Sequence, residues 1–468
     1  MSSGRICHAR QFSNIMGSLT TLEDFLEKHP SIKTYSPSDE TFHSLRQTYV
    51  STPAIPRLIA RPQSAEDVAA LVSHCSKTST PFVIRSGGHD MSARSTVDGI
   101  LQIDMRDIKY VNVSSDKKSA RLGGGVLNGD LQAALEKEDL MTPTGTVGSV
   151  GYVGWATLGG YSFFTASLGM GVDQILGAKV VLANGELIDA DEELLVGIRG
   201  AGPALGVIVE IEIKVYPKTE IQGGLIMFDS TDFEGTIKTF WTNWAKLLKE
   251  NTLPDLLCIQ PAVVEVPGIG KTFACAFTWN GPASDESDTW LEEICKLAPV
   301  AMKMVAPTSP SAMTAQVTAL TSPTTIPGSS YGVSTKTLAL SEDMADLYAE
   351  FATKLPGDGA LLSMHQLRGK ASRDDHLPGV FRWREEHNLL EIVGLTITKE
   401  KSQEAKEWAD GYRDALVKLD GVIEGGYYSL LPKGQFAMEV VYGDHWETVK
   451  RLKEKVDPGN VFKFAFGK

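Results

Sequence analysis

No stretch of this 468-residue chain approaches the roughly 18 consecutive apolar residues that cross a bilayer as a helix. Residues 1–18, "MSSGRICHARQFSNIMGS", lack the apolar core of a secretory signal, so the expected location is cytoplasmic. Positive charge is also scarce. Forty-five Lys and Arg stand against 58 Asp and Glu, a net charge of -13, which argues against a nucleic-acid partner and against docking on an anionic membrane. The five cysteines (Cys7, Cys75, Cys258, Cys275 and Cys295) are scattered without a CxxC pair, which fits neither a disulfide framework nor a zinc or other metal site. Several motifs of chemistry are missing too: no GxxxxGK[ST] phosphate loop, no HExxH and no GxSxG elbow. "GTVGSVGYVGW" looks superficially like a dinucleotide fingerprint, but no helical periodicity follows it, so a Rossmann domain is unsupported.

What remains is an ordinary globular composition, 42% hydrophobic and 22% charged, long enough for two or three domains and a sizeable enclosed ligand. Ser64 and Asp67 signal a helix start, and Val68, Leu71, Val72 and Cys75 follow at helical spacing, which makes Cys75 a core residue. "PFVIRSGGH" reads as a buried strand running into a glycine bend. "ILQID" and "VNV" read as further strands, and "SARLGGGVLNGDLQAALEKE" as strand, turn and helix. Residues 142–171 are Gly, Thr, Ser and aromatics with no lasting period. They imply backbone packed tightly against something. Asn184-Gly185 marks a hairpin, and Val207, Val209, Ile211, Ile213 and Val215 alternate along one face of a strand.

After Pro217 the texture changes to a second unit, residues 218–437. A helix carrying Phe233, Ile237, Phe240, Trp241, Trp244 and Leu248 precedes two strands, "LLCIQPAVVEV" and "KTFACAFTW", joined through Pro267 to Gly270. Residues 306–330, rich in Ser, Thr and Pro, read as an irregular surface connection or as the lining of a substrate entrance. Helices with Met344, Leu347, Tyr348 and Phe351, and with Ala405, Trp408, Tyr412 and Leu416, bracket the strands "GALLSMHQLRG" and "NLLEIVGLTIT". This order predicts an antiparallel sheet covered by helices. Residues 438–468 return to the first unit through a helix stopped at Asp457-Pro458, giving an α+β chain of two domains, 1–217 with 438–468, and 218–437.

Two glycine-rich loops carry the chemical signal. The first is Ile84, Arg85, Ser86, Gly87, Gly88 and His89. The second contains Gly145, Thr146, Val147, Gly148, Gly151, Tyr152, Gly154, Trp155, Leu158, Gly159 and Gly160. Backbone N–H groups freed of side chains converge on phosphate oxygens without needing lysine. The plain alternative is two tight turns at sheet corners, with His89 a neutral imidazole capping one of them.

In their order, these residues resemble the berberine bridge enzyme-like flavoproteins of the vanillyl-alcohol oxidase superfamily, most closely the fungal intracellular members. "RSGGH" is similar to that family's flavin-attachment motif, "LGGYSFFTASLGMGVDQILGAKVVLANGEL" to its diphosphate-lining segment, and "ELLVGIRGAGPALGVIVEIEIKVYP" to the end of its FAD domain. The latter includes Gly206, Val207 and Ile208. "KVDPGNVFKF", with Asn460 and Phe462, is similar to its closing signature. The resemblance implies a PCMH-type FAD-binding fold with a substrate domain. It also implies FAD joined through His89, and oxidation of a small, mostly uncharged alcohol or amine from secondary metabolism by hydride transfer to flavin N5. O2 would be the acceptor, with or without coupled ring formation.

Where many relatives carry a second, cysteine anchor this chain has Val147, which implies a single covalent bond. Trp155 replaces the family's following histidine, Tyr152 aligns with its oxygen-gating position, and Ser429 replaces an asparagine after Tyr427-Tyr428. A redox-neutral cyclase or a flavin-binding protein without activity on the same fold stays open. The catalytic base has no firm counterpart. Glu385 and Glu386 lie close in sequence, while His365, Arg368, Tyr427 and Tyr428 are the candidates on the second domain's sheet. A regular strand cannot aim both His365 and Arg368 inward. The plain alternatives are a histidine satisfied within the sheet and tyrosines that are core. Oligomeric state leaves no trace in the sequence.

Overall fold

The computed structural model describes residues 22–266, 268–319, 326–357, 359–373, 375–423, 425–431, 434 and 436–466. Its amino-terminal part holds two small sheets and a two-stranded pair, Leu140–Met141 with Tyr216–Pro217. The first orders Lys33–Tyr35, Leu58–Arg61, Leu101–Asp104 and Phe82–Arg85, with the last three strands parallel. Helix Ala65–Thr78 lies beside it, capped by Ser64, whose side chain accepts from the Asp67 N–H, and its buried Val68, Leu71, Val72 and Cys75 enter the core as the spacing predicts.

The second sheet is antiparallel and orders Val111–Val113, Ser119–Gly123, Val207–Lys214, Ile175–Val181 and Leu187–Asp189. The Asn184-Gly185 turn joins its last two strands, with Gly185 at φ +86°. Helix Trp446–Val456 brings the carboxy-terminal residues back here: Leu452 and Val456 pack with Leu194, Leu195 and Ile198.

The rest is one eight-stranded antiparallel sheet. Its order is Val300–Thr308, Ile221–Phe228, Gly270–Trp279, Leu257–Val266, Leu361–Leu367, His387–Thr396, Ile326–Thr335 and Val422–Ile423. Helices Phe233–Glu250, Glu342–Thr353 and Ser402–Leu416 contribute to a single core against one face, including Phe240, Trp241, Trp244, Tyr348 and Tyr412. Phe240 alone, fully withdrawn from water, contributes roughly 1.5–3 kcal/mol before entropy is counted. The α+β class and the helix-covered antiparallel sheet are as expected. No described helix is long and apolar enough to cross a membrane.

Two local expectations fail. Where it is described, the Ser/Thr/Pro-rich segment is not irregular: it holds the end of strand Val300–Thr308, helix Pro310–Ala319 and the start of strand Ile326–Thr335, while 320–325 lie outside the described residues. Pro310 opens that helix at a position where its missing N–H costs nothing. The aperiodic stretch 142–171 also contains two short helices, Tyr152–Thr157 and Thr165–Leu168, each too brief to register as a period.

Candidate active site

The uncovered face of the large sheet and the two glycine-rich loops enclose a cavity of about 730 Å³. Strand Phe82–Arg85 delivers its last residues to the bend that follows, where Gly88 at φ +73° makes a turn that side-chain-bearing residues rarely adopt. The bend presents His89 to the cavity. Its ring stacks on Tyr49 with centroids 4.8 Å apart, and Nε2 lies 2.8 Å from Ser149 Oγ in the second loop. Burial, with the Arg85 guanidinium behind it, pushes the imidazole down to about 4, so it is neutral at ordinary pH.

The two loops interlock. A Cβ on Gly87 would stand 2.2 Å from the Gly151 nitrogen, and one on Gly151 would stand 2.3 Å from Ser86 Oγ. These two glycines therefore serve loop-to-loop contact. Gly154, whose Cβ would meet nothing within 4 Å, faces open space. From the other side, Thr318 of helix Pro310–Ala319 accepts from the Gly148 N–H at 2.9 Å, tying the large sheet's own connection to the loop.

Most of the sequence-derived candidates border this cavity: Ile84, Ser86, Gly87, Gly88 and His89 from the first loop, and Gly145, Thr146, Val147, Gly151, Gly154, Trp155 and Leu158 from the second. Gly206, Val207, Ile208, Phe462, Ser429, Tyr427, Tyr428 and His365 border it as well. The others do not. Arg85 is buried behind the bend, donating to the Leu45 and Gln47 carbonyls. Gly148 is held by Thr318 at the back of its loop, and Gly159 packs against the Phe381 and Tyr427 rings. Gly160 sits against Gly171 and Trp155. Asn460 is an exposed turn residue at φ +50°.

Tyr152 is fully buried among Leu131, Trp155 and their neighbours, because it opens a helix whose inner face is core, so it does not gate the cavity. Arg368 follows its strand and turns into the protein, where it donates to the Pro254 and Leu257 carbonyls, and it is no catalytic candidate.

The acid–base cluster lies on the sheet, and its central member, Glu391, was missed in the sequence. Ser363 stands directly opposite Glu391 in the register and its hydroxyl donates to Oε2 at 2.8 Å, while His365 Nε2 lies 3.4 Å from the same oxygen. Gln260 Nε2 is 3.3 Å from the His365 ring nitrogen. Burial pushes the Glu391 carboxyl up, but the facing imidazole and the Ser363 hydroxyl outweigh it and hold the group below the ordinary carboxylate range. Burial raises Tyr427 and Tyr428 to about 12, so both remain protonated donors. The Tyr428 hydroxyl is committed to the Ala465 carbonyl at 2.9 Å. Tyr161, also missed, borders the cavity and hydrogen-bonds His387 Nε2 at 2.6 Å. Glu385 and Glu386 do not border the cavity. Glu391 did leave one trace in the sequence: it is the only charged residue inside the apolar run "NLLEIVGLT", on the same parity as Leu389 and Val393.

Comparison with known proteins sets this geometry in context. A model of the FAD binding domain matches residues 56–191. The FAD-linked oxidoreductase aurO of Gibberella zeae is 31% identical over 462 residues, covering 96% of this chain and 88% of that protein. Among solved structures, BBE-like 1 of Physcomitrella patens superposes with a TM-score of 0.83 at 18% identity, covering 95% of this chain and 98% of that one. Glucooligosaccharide oxidase of Acremonium strictum, whose flavin is 6-S-cysteinyl and 8α-N1-histidyl linked, gives a TM-score of 0.77 at 18% identity over 94% of this chain and 97% of that one.

The residues present fit a flavin dinucleotide. The cavity lies in the upper part of the roughly 300–1,000 Å³ typical of ligand sites, a neutral imidazole borders it, and the buried Ser86 hydroxyl beside the glycine bend has no partner within the protein. No described cysteine borders the cavity.

Proposed function

The chain belongs to the berberine bridge enzyme-like family of FAD-linked oxidoreductases, and from that premise we propose that it oxidises an organic alcohol or amine with Glu391 as the proton acceptor. Bound FAD supplies the two-electron oxidant, reoxidised by O2. Everything else in the reading falls to the chain's own side chains. His89, neutral and held by Tyr49 and Ser149, is the single covalent anchor, and the absence of a bordering cysteine among the described residues supports one bond rather than two. The substrate O–H or N–H donates to Glu391, which is ionised before substrate arrives and takes that proton as the adjacent C–H bond is oxidised. Ser363 fixes the rotamer of the carboxylate, and the His365 imidazole, 3.4 Å from the same oxygen, orients it from the side. Tyr427, kept protonated, donates to a polar substrate atom beside it. The division of the chain into 1–217 with 438–468 and 218–437 belongs to the same reading.

The observation that carries it is an ionised carboxylate and its imidazole on the wall of the cavity that His89 borders. Anaerobic mixing with a panel of alcohols and amines tests it. A substrate must bleach the yellow flavin, and Glu391→Gln must slow the bleaching while leaving flavin content unchanged. Product formed from a panel member without bleaching would replace oxidation with redox-neutral cyclisation.

A further inference from the structure

The sheet face that carries Glu391 continues well beyond it. Reading the register outward from Glu391, the residues opposite one another are Ser363, Ala262, Ala274, Met227 and Met302, all of which border the cavity. Five strand intervals at about 4.8 Å make this row about 24 Å long. The adjacent row runs from His365 and Gln260 through Ala276 and Leu225 to Met304. Polar chemistry is concentrated at one end of both rows. Small side chains (Ala262, Ala274, Ala276) form the middle and methionines the far end.

At that far end Met302 is 49%, Met304 47% and Ile269 66% exposed, so apolar groups lining the cavity also form its rim at the surface. The carboxylates and guanidinium groups that border the cavity are Asp90, Arg94 and Glu391. Asp90 and Arg94 pair at 2.6 Å, which leaves Glu391, held by Ser363 and His365, as the carboxylate without a guanidinium partner.

The geometry points to a substrate with its reacting O–H or N–H at one end of an extended, uncharged apolar arm, which lies along the alanine trough and reaches the methionine rim. This deepens the oxidation reading, on which the placement of the reacting end at Glu391 rests. A trough one methyl deep admits a flat or linear arm, and methionines adapt to its outer end. A chain of sugar rings is excluded from it, because its hydroxyls would lose water against Ala, Leu and Met without replacement partners. Ala262, Ala274 and Met302 are thereby specificity-determining positions.

The test uses the flavin-loaded full chain and a series of 4-alkylphenols from methyl to octyl, each presenting one O–H and a growing apolar arm, titrated calorimetrically. In the native protein Kd falls about fourfold per added methylene until the trough is spanned. Ala274→Phe, which fills the trough, and Met302→Asp, which charges the half-exposed rim, each remove the gain from the longer arms. Both leave 4-methylphenol within about twofold of its native Kd. A phenol bearing a glycol-ether arm of matched length binds no tighter than 4-methylphenol.

A Kd independent of arm length, no binding of any member, equal binding of the glycol arm, or a length effect preserved in both variants overturns the proposal. Its failure is separable from that of the oxidation reading. A flat binding series with anaerobic bleaching intact removes only the arm, and a steep series with no bleaching by any panel member removes only the oxidation.

Discussion

Glu391 Oε2 and His365 Nε2 meet 3.4 Å apart on neighbouring strands, not as direct partners but along the diagonal, with Ser363 occupying the position opposite Glu391. The diagonal of an antiparallel pair is within reach of long side chains, so the register itself assembles the three-residue cluster. A carboxylate at this depth is opposed by desolvation, and it stays ionised because two neighbouring groups favour its charge.

Glu391→Gln keeps the shape and removes the base. Anaerobic flavin bleaching followed by stopped flow should slow by about 10²–10⁴-fold, with flavin content and thermal midpoint unchanged. A rate within about tenfold of native would place the base elsewhere, since positioned proton acceptors contribute more than that.

The pH profile follows from the same group. A carboxyl held below its ordinary 4.5 is already charged throughout neutral and mildly acid solution, so the acid limb of kcat/KM should lie below that value. His365→Leu removes the imidazole and leaves burial, the largest influence, to push the carboxyl up. The limb should therefore move to higher pH. A limb that stays in place or moves lower would contradict the assignment.

His89→Ala should release the yellow colour on acid precipitation, whereas the native protein should carry it into the pellet. Ser149→Ala deletes the 2.8 Å hydrogen bond to the ring but not the nucleophile, so covalent loading of flavin-free protein should slow without being abolished. Mass spectrometry of the flavin peptide reads both, and flavin found on any other residue refutes the anchor.

Trp244 is fully buried beneath the large sheet and donates to the Leu338 carbonyl at 3.1 Å. Trp244→Ala should cost about 3–5 kcal/mol in denaturant unfolding. Because the residue lies on the face opposite the cavity, flavin loading of the folded fraction should be preserved.

The glycine bend, His89 on the cavity wall and most of the lining were legible because local rules fix them: a bend needs glycine, and the chain places His89 directly after it. Glu391 and Ser363 escaped because their partnership exists only in the register between strands 28 residues apart in sequence. Tyr152 and Arg368 misled for a related reason. A residue's neighbours along the chain say which loop or strand it belongs to, while the helix opened at Tyr152 and the backbone turn after Leu367 decide where the side chain goes. The helix Pro310–Ala319 was hidden by its Ser, Thr and Pro content, a composition that describes loops equally well.

In strand His387–Thr396, Leu390 and Ile392 belong to the core beneath the helices, while Leu389, Glu391 and Val393 face the cavity. On its neighbour, Leu362 and Met364 alternate in the same way with Leu361, Ser363 and His365. One parity is architecture and the other is reactivity. Inserting or deleting a single residue in either strand would exchange them, burying a carboxylate under the helices and lining the pocket with leucine. Substitution at every second position of these two strands therefore alters the pocket without disturbing the core, whereas a one-residue insertion or deletion alters both. Substitution can change what the pocket accepts while the core beneath it stays in place, but Glu391 cannot be relocated by sliding a strand.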